Sequence, residues 1–515
     1  MDDKPFKKDR TSAHNRQSAG FFFREYDSLL RIDSNTILLF ARRHGEKNAN
    51  EKEAHMDQSV EQSVEQAVAS QKELFKSGTT LDLLFRGKQL KRLYDEILLQ
   101  QKNIEQALYA DLGKSADESW MSEIGLVLEA IRYQIRHLCS ASRVHLHTVP
   151  LHQMPALYET VRIPYGTVLI MAPWNYPFYL AMVPLAEAIA AGNTVVLKTG
   201  HAATETSRVI AEIVQNIYDP DYVTVFTQGC EEIEALLEED FDYIFFTGGK
   251  KLGSMVMEAA SKHLTPLTLE LGGKSPAVVD ESANLALAAR RIVFGKFLNA
   301  GQTCVAPDYV LVHDSVLEPF MAALMHEIRR QYPSPERIGK IISPAHYERL
   351  IGYIHPEQVA IGGRASGTTL QIEPTVLLDV DWDDPVMQEE IFGPILPVLT
   401  FTNFRQMMQE LADKPTPLAF YLFTRNRLQK QYMKYVQPFG GGCINDTIIQ
   451  LASDSVPFGG MGASGMGQYH GKWGYETFSH IKSVAVKPDV KILDLPLRYN
   501  DRKPWMASLI RKVLR

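Results

Sequence analysis

A chain of 515 residues, 45% hydrophobic and 22% charged, is too long for one ordinary core and too apolar to stay unfolded, so two or more packed domains are expected. A formal net charge of −7 with no long basic block argues against a general nucleic-acid binder. Cys139, Cys230, Cys304 and Cys443 are widely spaced with no CxxC, which supplies neither a disulfide framework nor a zinc cluster and points to a reducing, cytoplasmic setting. No apolar run reaches membrane-spanning length, and the N-terminus lacks the pattern of a secretory signal.

The first residues, MDDKPFKKDRTSAHNRQSAG, carry no helical or strand period, and after GFFF and NTILLFA comes the charged stretch RRHGEKNANEKEAH. Residues 1–55 read as a disordered extension. A second reading makes them a mis-called start. Lys52-Glu53-Ala54 can be encoded by a purine-rich ribosome-binding sequence just upstream of Met56 in a bacterial gene.

From Met56 to about residue 140 apolar residues recur at three- and four-residue spacing, as in LLFRGKQLKRLYDEILLQQKNIEQALYADLG, which predicts amphipathic helices. From Gly166 the short β-branched runs TVLIMA, TVVLK, YVTVF, DYIFF and LTLE alternate with helical patterns. Such alternation means βαβ units and a parallel, doubly wound sheet. A second series begins near Pro276 with AVV, a helix from Asn284 to Ala300, YVLV, TVLL, ILPVLTF and PLAFYLF. The predicted fold class is therefore α/β, with two doubly wound parallel-sheet domains.

In open parallel sheets binding sites lie beyond the carboxyl ends of the strands. DYIFF is followed by Thr247-Gly248-Gly249-Lys250-Lys251-Leu252-Gly253, opening a helix. Those glycines either let backbone amides approach a phosphate or simply make a tight turn. TVVLK delivers Lys198, a ligand-binding cation or a solvated one. TVLIMA is followed by Pro173-Trp174-Asn175-Tyr176-Pro177-Phe178, whose asparagine either caps a helix or donates to a developing oxyanion. LTLELGGKSP ends a strand on Glu270, a salt-bridged surface carboxylate or, beside a nucleophile, a base. Cys304 falls in NAGQTCVAPDYV, just past a helix that stops at Asn299-Ala300-Gly301; a loop thiol beside glycine is better placed to react than a core thiol.

PWNYPF, VVLK, FFTGGKKLG, LELGGKSP, GQTCVAP, EEIFGP and PFGGMGASGMGQYHGKWGYETFSH, in this order and spacing, resemble the aldehyde dehydrogenase superfamily. GQTCVAPDYV and YETFSH are most similar to its class 3, or fatty-aldehyde, branch. The resemblance runs from about Met56 to Val490. It implies NAD(P)-dependent oxidation of an aldehyde, of apolar leaning, to a carboxylic acid. Cys304 is implied as the nucleophile, Glu270 as the base for water and Asn175 as an oxyanion donor. It further implies that Lys198 contacts the adenosine ribose, Glu390 holds the nicotinamide ribose, Phe392 packs near the nicotinamide, and Gly248 and Gly253 bracket the pyrophosphate turn, with Thr247 and Gly249 also in the cofactor site. Trp174 lines the boundary of substrate and cofactor or serves packing. No metal is implied.

Two positions depart from the family pattern. Gly249 stands where a serine is usual, and His201 stands where many NAD-preferring members carry a glutamate that repels a 2′-phosphate. The cofactor is thus expected to be NAD or NADP. The implied layout is a Rossmann-like cofactor-binding domain at 56–139 and 166–270, a catalytic domain at 271–476, and an oligomerisation hairpin and bridging strands at 140–165 and 477–495 that make a homodimer. The basic tail at 496–515 is a surface helix or a peripheral membrane contact, too short for a transmembrane anchor. Cys139, Cys230 and Cys443 read as core or strand thiols. Rival readings are a coenzyme A-acylating dehydrogenase, against which Glu270 argues, and a non-enzymatic structural relative, against which the joint presence of Cys304, Glu270 and Asn175 argues.

Overall fold

Runs of β-branched residues bounded by glycine and proline become strands, and the apolar stripes between them become helices. The computed structural model describes residues 47–150, 153–491, 494, 499 and 503–513. In chain order the strands are β1 (His145–His147), β2 (Leu157–Pro164), β3 (Thr167–Met171), β4 (Thr194–Lys198), β5 (Val223–Phe226), β6 (Tyr243–Gly248) and β7 (Leu267–Leu271). Then come β8 (Pro276–Val279), β9 (Tyr309–His313), β10 (Val359–Ile361), β11 (Ala365–Ser366), β12 (Gln371–Ile372), β13 (Thr375–Leu377), β14 (Ile395–Phe401), β15 (Ala419–Phe423), β16 (Gly441–Ile444), β17 (Gly465–Met466) and β18 (Ser479–Val486).

Strands β3 to β7 pair in parallel in the order β5-β4-β3-β6-β7. The crossovers are the helices Tyr179–Ala191, Thr204–Ile217, Cys230–Glu238 and Lys250–His263. Every residue of β3 and β4 is buried, the mark of a parallel sheet covered on both faces. Chain order reverses between β3 and β6, so the loops after them, carrying Trp174-Asn175 and Thr247–Gly253, flank the crevice where such sheets bind ligands.

A second sheet runs in the order β10-β13-β14-β9-β8-β15-β16, parallel except for β10. The short link Gly272–Ser275 joins β7 to β8, so Glu270 stands where one sheet hands the chain to the other. β17 falls inside the stretch expected to be wholly catalytic domain, yet it pairs with β7 at the edge of the first sheet, Gly465 opposite Glu270. Its glycine-rich sequence has no strand signal; the exposed edge of β7 recruits it.

β1, β2 and β18 make a separate antiparallel sheet, with Ser479 opposite Pro164 at one end and Val486 opposite Leu157 at the other. Residues 59–515 form one unit, separate from residues 1–58. The expected extension lies outside the described residues up to position 46. Its remainder is helical rather than irregular, because the helix Lys47–Lys76 begins ahead of Met56. Lys, Glu and Ala extend a helix readily once later turns are packed, and here Val64, Val68 and Gln71 are buried.

Two cysteines correct the sequence reading. Cys139 and Cys230 are exposed and only Cys443, in β16, is a buried strand thiol. Cys139 falls off the apolar stripe Val127-Leu128-Ile131-Leu138 of its helix, Gly125–Ala141. The tail contains the helix Pro504–Val513, with Trp505 exposed. Among the described residues no helix is long and apolar enough to cross a membrane, and no cluster of His, Cys, Asp and Glu could hold a metal.

Candidate active site

The loop that carries Cys304 is built from backbone that few sequences tolerate. The helix Leu285–Phe297, capped by the Asn284 side chain, gives way to Asn299, Ala300 and Gly301 with φ of 54°, 52° and 74°. Consecutive left-handed residues are costly outside glycine and asparagine and persist only where the surroundings hold them. Here they are held. Asn299 donates its N–H to the Glu118 carboxylate at 2.8 Å and its side-chain amide to the carbonyls of Asn175 at 2.7 Å and Gln302 at 3.1 Å. Gln302 donates to the Lys340 carbonyl and accepts from the Ile342 N–H, and Thr303 shares a 2.7 Å hydrogen bond with the Tyr176 hydroxyl. A Cβ on Gly301 would run into the Gly393 carbonyl, so the loop packs directly on the segment bearing Glu390 and Phe392.

Cys304 and Glu270 face one cavity of about 190 Å3. Its other walls are mostly apolar, among them Met121, Leu126, Leu298, Leu418 and Phe458. Glu270 is buried, and neither carboxylate oxygen has a partner at full hydrogen-bonding geometry. Burial holds its carboxyl well above the usual range, opposed in part by the Gly460 N–H. Cys304 is half-buried by surface, but its sulfur looks into this enclosed space. Burial pushes the thiol up to about 12, with Glu390 and Glu270 adding to the rise and the N–H groups of Cys304 and Val305 opposing it.

Asn175 is buried behind the loop rather than in the cavity wall, and it does not cap the helix Tyr179–Ala191. Its amide nitrogen donates to the Gln302 carbonyl at 3.0 Å, which leaves one amide hydrogen for another acceptor. The cap comes from Glu123, whose carboxylate accepts the N–H groups of Phe178 at 2.9 Å and Tyr179 at 3.1 Å. The other Glu123 oxygen pairs with Lys114 at 2.5 Å, both side chains fully buried. Lys114 also donates to the Asn175 carbonyl at 3.2 Å and lies 3.9 Å from the centre of the Tyr176 ring. Lys114, Glu123, Asn299 and Gln302 escaped the sequence reading. Only the Asn-Ala-Gly signature of the loop hinted at them, because buried pairing between distant residues leaves no local pattern.

The residues expected to take a dinucleotide lie along the crevice. Gly249 precedes the helix Lys250–His263, whose N-terminus has no side-chain cap, and a Cβ on Gly249 would meet nothing within 4 Å. The helix end is thus open to a phosphate. Gly253 must stay small, since a Cβ would lie 2.7 Å from Leu271. The Thr247 hydroxyl is buried without a partner. Lys198 is buried and already donates to the carbonyls of Thr199 at 2.8 Å and Gln228 at 2.5 Å, with Glu232 3.7 Å away; burial lowers its pKa, opposed by Glu232. His201 is exposed in the turn after β4.

Glu390 lies over Gly272, where any Cβ would collide with its carboxylate. Burial, then Asp308, pushes its pKa to about 8, against the Gly273 N–H, Lys250 and Lys274. Phe392, at a left-handed φ of 51°, packs edge-on against Trp174 at 5.4 Å, and Trp174 packs in turn on His346 at 5.1 Å. Lys274 fixes this segment, pairing with Asp308 at 2.6 Å and donating to the carbonyls of Val386 and Glu389. An uncapped helix end, an orphaned hydroxyl and a carboxylate over glycine fit a dinucleotide.

Comparison with known proteins agrees. Residues 46–484 match the family model described as "Aldehyde dehydrogenase family". The chain is 44% identical over 423 residues to the 4,4′-diaponeurosporen-aldehyde dehydrogenase of Staphylococcus aureus, covering 81% of this chain and 92% of the relative. It is 39% identical over 442 residues to the dimeric NADP-preferring aldehyde dehydrogenase of Canis lupus familiaris, covering 85% and 97%. The solved substrate-bound state of Staphylococcus aureus AldH superposes with a TM-score of 0.85 at 40% identity, over 88% of this chain and 99% of that one. The chain therefore belongs to the aldehyde dehydrogenase family, alongside its class 3 members.

Proposed function

We propose that the protein oxidises an apolar aldehyde to its carboxylic acid with NAD or NADP, through a thioester on Cys304 that water activated by Glu270 hydrolyses. The observation that carries this reading is the shared apolar cavity of Cys304 and Glu270. An apolar wall binds the aldehyde chain and excludes bulk water, and it also disfavours the thiolate, so the thiol proton needs a nearby acceptor. Water in the cavity takes it, which leaves Glu270 free for the hydrolysis step. The Cys304 sulfur then attacks the aldehyde carbon. Negative charge developing on the aldehyde oxygen is met by the Cys304 N–H and the spare amide hydrogen of Asn175. The dinucleotide, when bound, supplies the hydride acceptor, and its ribose and phosphates would be held by Glu390, Lys198 and the end of helix Lys250–His263. Glu270 next takes a proton from water, the hydroxide adds to the thioester carbon, and the carbon–sulfur bond breaks.

His201 supports the use of NADP, because no carboxylate stands at that position to repel a 2′-phosphate. The dog relative is named dimeric and NADP-preferring, and we extend both traits to this chain.

The test is a rapid-mixing experiment on wild type and E270Q with both dinucleotides. E270Q is expected to keep a burst of reduced dinucleotide and lose steady turnover by about a hundredfold or more. Turnover of E270Q at the wild-type rate removes Glu270 from its role, and an acyl-coenzyme A product on adding coenzyme A favours the acylating reading. A kcat/KM preference for NAD of about a hundredfold or more rejects NADP use.

A further inference from the structure

The cavity that holds Cys304 has a polar side branch. Leu126, Tyr179, Leu451, Ala452 and His470 line both it and a second, smaller cavity, whose remaining wall includes Val183, Ser453, Asp454 and Glu129. Asp454 is half-buried and Glu129 exposed, so the branch leads toward solvent. At the junction the Tyr179 hydroxyl and His470 Nε2 lie 2.9 Å apart. Burial pushes His470 down to about 3, which keeps its imidazole neutral.

Behind this branch sits an acid that the mechanism has not used. Tyr179, Val183 and Glu187 recur at four-residue spacing and share one face of the helix Tyr179–Ala191. Glu187 is fully buried, and neither carboxyl oxygen has a partner at full hydrogen-bonding geometry. It has room because residue 474 is glycine, where a Cβ would collide with the carboxyl group. Burial, then Asp454, holds Glu187 well above the usual carboxylate range, with the His470 N–H opposing; Tyr469 also senses its charge. Burial thus favours the protonated form of Glu187. Asp454 is raised to about 6 by burial and then Glu129, against the Gly471 N–H, Arg136 and His137, and is charged at neutral pH.

Building on the thioester reading, we propose that this branch is the exit route for the protons released by aldehyde oxidation, with Tyr179 and Glu187 as relays, His470 holding Tyr179, and Asp454 as the outer acceptor. Aldehyde, NAD(P)+ and water give carboxylate, NAD(P)H and two protons, and those protons leave a cavity whose other walls are mostly apolar. A proton on Glu270 passes to cavity water. As a hydroxyl or carboxyl oxygen along the branch accepts one proton, its own O–H bond breaks on the far side, so no charge stays inside. Asp454 takes the last proton and gives it to solvent. Glutamine at 187 keeps shape and neutrality but has no carboxyl proton to hand on.

The experiment mixes enzyme, NADP and hexanal rapidly in weak buffer with a pH indicator, for wild type, D454N and E187Q. Expected is an NADPH burst at the wild-type rate in both variants, with proton release slowed about tenfold or more. Imidazole buffer is expected to restore D454N, whose defect lies at the outer end, and not E187Q. Proton release in step with NADPH in both variants at low buffer overturns the route. Reduced dinucleotide formed by C304A at the wild-type rate overturns the thioester reading and the route with it.

Discussion

Cys304 sits in an environment that opposes its own ionisation. The apolar cavity pushes the thiol to about 12, and the nearby carboxyls add to the shift. Of these, Glu390 becomes charged only as pH rises through about 8. A carboxylate repels a thiolate, so removing one lowers the thiol pKa only where that carboxylate would have been ionised. In the dinucleotide-free enzyme, alkylation of Cys304 by iodoacetamide should keep accelerating past pH 9. E390Q should speed it above about pH 8 and leave it unchanged near pH 6. Mass spectrometry of the Cys304 peptide follows the reaction; identical rates for the two enzymes at pH 9 remove Glu390 from the electrostatics of the thiol. The side chain and its place in a loop were legible in the sequence. Its high proton affinity was not, because that depends on walls contributed by Met121, Leu298, Leu418 and Phe458, far apart in the chain.

Among elements, the helix Tyr179–Ala191 and the segment ahead of it show how the site is aimed. Between the helices Ala116–Ser119 and Gly125–Ala141 the chain makes a π-helical turn at Trp120–Ile124. Such turns carry an extra residue and re-aim their side chains. This one brings Met121 and Ser122 to the cavity wall and Glu123 inward, onto Lys114 and the end of the helix Tyr179–Ala191. E123A leaves a buried ammonium unpaired and uncaps that helix. A loss of roughly 3–5 kcal/mol in urea unfolding is expected. Activity should fall with it, since Lys114 also holds the Asn175 carbonyl. Unchanged stability in E123A would mean that the pair is not formed in solution. Sequence periodicity gave the helices on either side of the turn, but an extra residue inside a helix leaves no mark in apolar spacing.

For the whole molecule, the antiparallel sheet β1-β2-β18 presents Ile481, Val484 and Val486 to solvent along an edge strand. An exposed edge with apolar side chains is a surface another copy can cover. The proposed homodimer therefore predicts that I481D with V484D halves the mass measured by light scattering, while the fold of each chain persists. A wild-type mass equal to one chain rejects the dimer.

The amino-acid sequence by itself determined the α/β class and the strand runs from β3 to β9 and β13 to β15, and it singled out Cys304, Glu270 and Asn175 as candidates, because apolar period and motif spacing are local properties. It misplaced the exposed cysteines Cys139 and Cys230 and the helical start at Lys47, and it gave no sign that β17 joins the first sheet. Tertiary structure alone decided which groups are paired. The Lys114–Glu123 bridge, the buried carboxyls of Glu187 and Glu270 and the polar branch past Tyr179 exist only because distant segments are packed against one another. Burial and pairing set the charge of a group, and both belong to the folded chain.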